Sequence, residues 1–254
     1  MLHYDISGTG PAVVLLHGFP QTRAMWRKVT PLLEGRTVIC PDLRGYGASP
    51  KPAGGYSKRE MALDVVELAR SLGFERFALV GHDRGALVAF RAALDHPGVV
   101  THLVCLDVLP TIDMWDVLHG VEAALAWHLY LMAQPIAEEM IAGAPEAFFG
   151  HFLDVWARSP LELREEYIAA SRAAIPSIVA DYRASATVDI EHDREGGVLS
   201  TPVTVLQNDW GLPAREVWER WAPDLVHETV DYGHFMAEEE PERVAAALIR
   251  TFRR

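Results

Sequence analysis

The stretch Val80-Gly81-His82-Asp83-Arg84-Gly85-Ala86 decides how this chain is read. It follows the apolar run 76–80 (Arg-Phe-Ala-Leu-Val) and leads into a helical pattern that begins at about Arg84. Glycines stand two residues to either side of Asp83. Small residues are needed there because a strand turns sharply into a helix and the two backbones approach closely. This G-x-nucleophile-x-G spacing lifts one side chain clear at the tip of a strand. Here that side chain is an aspartate. A carboxylate cannot perform the acyl transfer that serine performs at such a turn, but it can displace a leaving group from saturated carbon and form an ester. The plainer alternative is that Asp83 only caps the helix, a position that suits aspartate.

Outward from this turn, short apolar runs alternate with helical patterns over the first 110 residues. Residues 12–16 (Ala-Val-Val-Leu-Leu), 37–40 (Thr-Val-Ile-Cys), 76–80 and 101–106 are predicted strands. Ser57-Lys58-Arg59-Glu60 is a capping box, followed by Met61, Val65, Leu68 and Leu72 at helical spacing and stopped by Gly73. Strands that are apolar throughout, separated by helices, indicate a buried parallel sheet with right-handed crossovers. From 111 to about 195 no clear strand pattern appears. That stretch is rich in Ala, Glu, Trp and Tyr, and Pro135, Pro160 and Pro176 divide it into short helices. The alternation resumes at 201–206, with a helix near 213–222, a strand near 226–230 and a last helix from about 239 that carries Val244, Leu248 and Phe252 on one face. The expected α/β architecture is a core of residues 1–111 and 196–254, with about seven mostly parallel strands and helices on both faces. Residues 112–195 form a helical cap inserted into it.

Composition narrows the function. With 254 residues, half of them apolar, the chain can bury one sizeable core. Against 35 Asp and Glu stand 23 Lys and Arg, a formal net charge of −12, and no basic patch is visible. Nucleic acid and anionic membranes are therefore poor partners, and a small-molecule substrate is the partner expected. Cys40 and Cys105 lie inside apolar runs and are expected to be buried; they make neither a disulfide framework nor a metal cluster. No metal and no cofactor are expected. Met1-Leu2-His3-Tyr4-Asp5 does not read as a signal peptide, and no apolar run reaches the roughly 18 residues of a membrane span, so the chain is expected to be cytoplasmic.

Three further segments support chemistry at Asp83. His17-Gly18-Phe19-Pro20 follows a core strand, where a loop can supply one backbone N–H of an oxyanion hole while the residue after the nucleophile supplies the other. Phe19 and Arg84 would be those donors. Asp231-Tyr232-Gly233-His234-Phe235 follows the last strand, late in the chain, where a catalytic histidine belongs. Leu106-Asp107-Val108 puts a carboxylate at a strand end, where it could orient His234. Asp209, after the next strand, is the alternative acid. His3, His102, His119, His151, His192 and His227 are read as structural.

With these residues the chain resembles the haloacetate dehalogenase branch of the α/β-hydrolases, with epoxide hydrolases as near relatives. The resemblance is carried by His17-Gly18-Phe19-Pro20-Gln21-Thr22, Cys40-Pro41-Asp42-Leu43-Arg44-Gly45-Tyr46-Gly47, the turn at 81–86 and Leu106-Asp107-Val108-Leu109-Pro110-Thr111. In the insert it rests on Trp127-His128, Ala133-Gln134-Pro135 and Asp181-Tyr182-Arg183-Ala184. It implies that Asp83 attacks the halogen-bearing carbon of a short 2-haloacid. The resulting ester is then hydrolysed by water activated by His234 and Asp107. It further implies that the Arg84 guanidinium binds the substrate carboxylate, that His128, Tyr182 and Trp127 help bind substrate and halide, and that the protein is a homodimer. Epoxide hydrolases use two cap tyrosines; here histidine stands at the first position, 128, while Tyr182 is common to both families. Tyr130 lies about 200° around the helix from His128 and so faces away. The plainer alternative for His128 itself is an ordinary cap histidine. A non-catalytic relative that binds a small ligand under its cap is the reading from another class.

Two positions depart from the dehalogenase pattern. Leu87 stands where the family carries a second arginine, and Leu129 where it carries a tryptophan that helps hold halide. Carboxylate binding should be weaker unless Arg23 or Arg183 takes over. Fluoroacetate is expected to be a poor substrate beside chloroacetate, bromoacetate or a bulkier, less polar analogue.

Overall fold

The computed structural model describes residues 1–253, apart from the side chains of Glu122 and Leu125. The apolar runs become strands β2 (Ala12–Leu16), β3 (Thr37–Pro41) and β4 (Phe77–His82), buried along their whole length, followed by β5 (Val100–Leu106). After the insert come β6 (Val203–Asn208) and β7 (Leu225–Val230). An additional strand, β1 (Tyr4–Gly8), precedes them all. The sheet order is β1-β3-β2-β4-β5-β6-β7. β1 pairs antiparallel with β3, and every other pairing is parallel. A parallel sheet covered on both faces leaves its central strands no polar side, which is why they read as unbroken apolar runs.

The capping box forms as the sequence predicts: Ser57 accepts from the Glu60 N–H, and the Glu60 side chain returns to Ser57 at the start of α1 (Lys58–Ser71). Helix α2 (Arg84–Asp95) is buried over ten of its twelve residues, including Arg84 and Arg91, which are paired with carboxylates. Seven helices lie between β5 and β6 among the described residues: α3 (Thr111–Val117), α4 (Trp127–Met132), α5 (Ala137–Gly143), α6 (Pro145–Val155), α7 (Arg164–Arg172), α8 (Ile175–Ser185) and α9 (Val188–Arg194). Pro135 and Pro160 fall between helices. Pro176 instead sits in the first turn of α8, where its missing N–H is not needed. The chain ends with α10 (Ala214–Trp221), α11 (Met236–Glu239) and α12 (Pro241–Thr251), the last burying Val244 and Leu248.

His17, Asp83, Asp107 and Asn208 all stand at the C-terminal ends of strands, and His234 follows β7. Open α/β sheets gather ligands at that edge. Both cysteines are buried and free. Among the described residues no helix is long and apolar enough to cross a membrane.

Candidate active site

Asp83 joins β4 to α2 with φ 49° and ψ −119°. Together with Asp107 (φ 54°) it makes up the non-glycine residues of positive φ among the described residues. Such backbone costs about 1–3 kcal/mol per residue and persists where the surroundings enforce it. They do so here. A Cβ at Gly81 would collide with the Gly85 carbonyl and the Ala86 Cα, and one at Gly85 would meet the carbonyls of Leu16 and His17. The Asp83 side chain makes no capping hydrogen bond to α2. Its Oδ1 instead accepts from the Phe19 N–H at 2.6 Å. The capping alternative is thereby removed. The Arg84 N–H, at the first position of α2, has no intrahelical acceptor to satisfy it.

His234 donates from Nδ1 to Asp107 Oδ2 at 2.7 Å. Four more donors converge on that carboxylate: Gln207 Nε2 (3.1 Å), the Asn208 N–H (2.9 Å), Asn208 Nδ2 (3.0 Å) and Trp210 Nε1 (3.0 Å). Burial works to raise the pKa of Asp107, but the hydrogen bonds and charge of His234 and the Asn208 donors hold it below the usual range. His234 shows the converse: burial lowers its pKa, the Asp107 bond and charge raise it, and the net shift is upward. His234 Nε2 is buried with no partner in the protein. His82 donates from Nε2 to the His234 carbonyl at 2.8 Å. Burial pushes the His82 pKa down to about 4, so its ring is neutral. Asp209 is exposed, accepts from the Gly211 N–H and is not brought to His234. The donors on Asp107 went unread in the sequence, although Gln207 and Asn208 close a core strand where a polar pair is out of place.

A cavity of about 310 Å³ lies between the turn and the insert, lined by Asp83, His234, Leu87, Leu129, His128, Tyr182 and Trp127 among others. His128 Nδ1 and the Tyr182 hydroxyl are buried without a partner in the protein. Burial pushes His128 down to about 3, so it is neutral. Burial and the nearby Asp83 charge hold the Tyr182 pKa far above its usual value, so the phenol keeps its proton. Trp127 stands half-exposed at the rim, stacked on Phe152. Tyr130 donates to the Leu118 carbonyl and packs on Trp115, away from the cavity.

The Arg84 guanidinium lines the cavity and is also paired within the protein. Its Nε and Nη2 donate to Asp181 at 3.0 and 2.8 Å, and Nη2 also reaches Ser185 Oγ at 2.6 Å. Its carbon lies 4.1 Å from the Tyr182 ring centre, in cation–π contact. Asp181 also holds Lys58, which is buried at the start of α1, and accepts from the Tyr46 hydroxyl at 2.6 Å. Two of the three Arg84 guanidinium nitrogens, Nε and Nη2, are therefore engaged within the protein. Arg23 is bound to Asp5 and Asp42, and Arg183 to Glu138, so neither replaces it.

A mostly parallel seven-stranded sheet, with an aspartate on its strand–turn–helix elbow and an acid–histidine pair beyond later strands, defines an α/β hydrolase. The chain belongs to the alpha/beta hydrolase fold family, whose pattern matches residues 11–241. It is 41% identical over 265 residues to a fluoroacetate dehalogenase of Burkholderia sp, covering 96% of this chain and 87% of that protein. It is 33% identical over 267 residues to a soluble epoxide hydrolase of Corynebacterium sp. (strain C12), covering 99% and 93%. Among solved structures it is similar to the epoxide hydrolase CorEH, with a TM-score of 0.88 and 31% identity over 99% of this chain and 94% of that one.

Proposed function

We propose that this hydrolase cleaves a carbon–halogen bond through a covalent ester on Asp83. The observation that carries the reading is the state of that side chain. It is strained, does not cap its helix, and is held through one oxygen by the Phe19 N–H. Oδ2 is then the attacking atom. It forms a bond to the halogen-bearing carbon as the halide leaves with the bonding pair. The Tyr182 hydroxyl and His128 supply donors for the leaving halide, and Trp127 closes the rim. In the second step His234 Nε2 takes a proton from water, which attacks the Asp83 carboxyl carbon. Negative charge gathers on Oδ1, where the Phe19 and Arg84 N–H groups receive it; losing one such donor costs about 10²–10³ in rate. Asp107 keeps the His234 proton on Nδ1, so that Nε2 remains a base. Collapse releases the alcohol with Oδ2, which takes the proton held on His234 Nε2, and leaves the water oxygen in the Asp83 carboxylate. Residues 112–195 act as a cap that excludes bulk water from the first step, which strengthens the carboxylate as a nucleophile.

Epoxide opening is the second reading. It uses the same attack, with the Tyr182 hydroxyl donating to the ring oxygen, and an epoxide hydrolase stands among the relatives. Substitution of His234 by Gln tests both. Incubated with haloacids, alkyl halides or epoxides, the variant should accumulate an adduct on the peptide containing Asp83. Absence of an adduct with all of them would overturn the ester mechanism.

A further inference from the structure

Resting on the ester reading of Asp83, we propose that the substrate is an uncharged electrophile with an apolar tail, and not a short haloacid anion. The one arginine lining the cavity among the described residues is already paired with a carboxylate, and most of the wall is apolar.

Arg84 is the arginine lining the cavity, and lysine is absent from that lining among the described residues. Its Nε and Nη2 face the two oxygens of Asp181, and both residues are almost fully buried. Turning the guanidinium toward a substrate would break this two-bond pair and leave Asp181 with Lys58 and Tyr46 alone. The neighbouring charges already balance, Arg84 and Lys58 against Asp181 and Asp189, which is itself within 3.3 Å of Lys58. An entering carboxylate would therefore stand beside Asp83 as a second negative charge with no unpaired cation to offset it. One turn along α2 from Arg84, the residue that reaches the cavity is Leu87. His128 is held neutral, and His234 is committed to Asp107.

Size points the same way. A cavity of about 310 Å³ holds roughly ten waters at liquid density, several times the space that a two-carbon haloacid displaces. The cavity wall includes Leu109, Leu118, Leu129 and Trp115, beside the polar Thr111 and Ser185. The unpartnered polar atoms of His128 and Tyr182 lie near the Asp83 charge, and most of the remaining lining is apolar. Each methylene buried there is worth about a fourfold gain in kcat/KM.

The test compares chloroacetamide with chloroacetate, which share the reacting carbon and differ in charge, alongside 1-bromoalkanes of increasing length. Each enzymatic rate is divided by that for attack by free acetate, which removes intrinsic reactivity. The corrected kcat/KM should favour chloroacetamide at least tenfold and rise about fourfold per methylene until the cavity is filled. Leu87→Arg should shift the amide-to-acid ratio toward the acid tenfold or more. A corrected preference for chloroacetate in the wild type, or no gain with chain length, overturns the proposal. The His234→Gln variant separates the two levels. An Asp83 adduct formed faster with chloroacetate overturns the substrate class alone, whereas no adduct with any of these compounds overturns the ester reading and this proposal with it.

Discussion

Replacing Asp107 by Asn removes one charge from the site, and the directions of its hydrogen bonds set the consequence. Oδ1 of Asp107 accepts from Gln207, the Asn208 N–H and Trp210, and an amide oxygen can keep all three. Oδ2 accepts from His234 Nδ1 and Asn208 Nδ2. An amide NH2 in that place donates instead. It turns His234 to the tautomer with its proton on Nε2, and that nitrogen can no longer take a proton from water. The same NH2 opposes the Asn208 amide, a lost buried bond that costs about 1–3 kcal/mol of stability. Ester hydrolysis should slow by about 10³–10⁴, or roughly 4–5.5 kcal/mol of barrier, while attack by Asp83 proceeds. The assay is intact-protein mass after mixing with substrate, read beside steady-state halide release. The expected result is a near-stoichiometric adduct together with turnover reduced by those three to four decades. Asp209→Asn, on the exposed residue, should turn over normally. Near-normal turnover of Asp107→Asn without an adduct would refute the assignment of the acid.

The same geometry makes two more outcomes testable. His234 acts as a base only when neutral, and Asp107 holds its pKa above the ordinary 6.5; kcat should therefore fall as pH drops through a midpoint above 6.5, and a wild-type midpoint at or below 6.5 would contradict the coupling. Asp181→Ala strands Arg84 as a buried charge and leaves Lys58 with Asp189 alone, which should cost about 3–5 kcal/mol and lower the melting temperature by about 6–20 °C in calorimetry; a change under about 2 °C would show that the cluster does not tie α8 to the core.

What the sequence made legible was whatever depends on local pattern. The turn at 81–86, the capping box at Ser57 and the buried strands follow from spacing and side-chain type alone. Strand β1 was missed because its residues are mostly exposed at the sheet edge, which leaves no apolar alternation to read. In the sequence Lys58 stands only as one residue of a capping box. Its burial depends on Asp181, 123 positions away, and no local pattern connects them. The same holds for Arg84, whose pairing with Asp181 on α8, 97 positions away, no local pattern shows. The pairing of His234 with Asp107 rather than Asp209 was open in one dimension and depends on which strand end His234 meets.

The most direct measurement of the central claim is isotopic. One turnover in water enriched in ¹⁸O, with enzyme in excess over substrate, should place a single heavy oxygen in the carboxylate of Asp83 and leave the first-formed alcohol unlabelled. Label in the alcohol, with none in Asp83, would mean that water strikes the substrate carbon itself, and the ester on Asp83 would have to be abandoned.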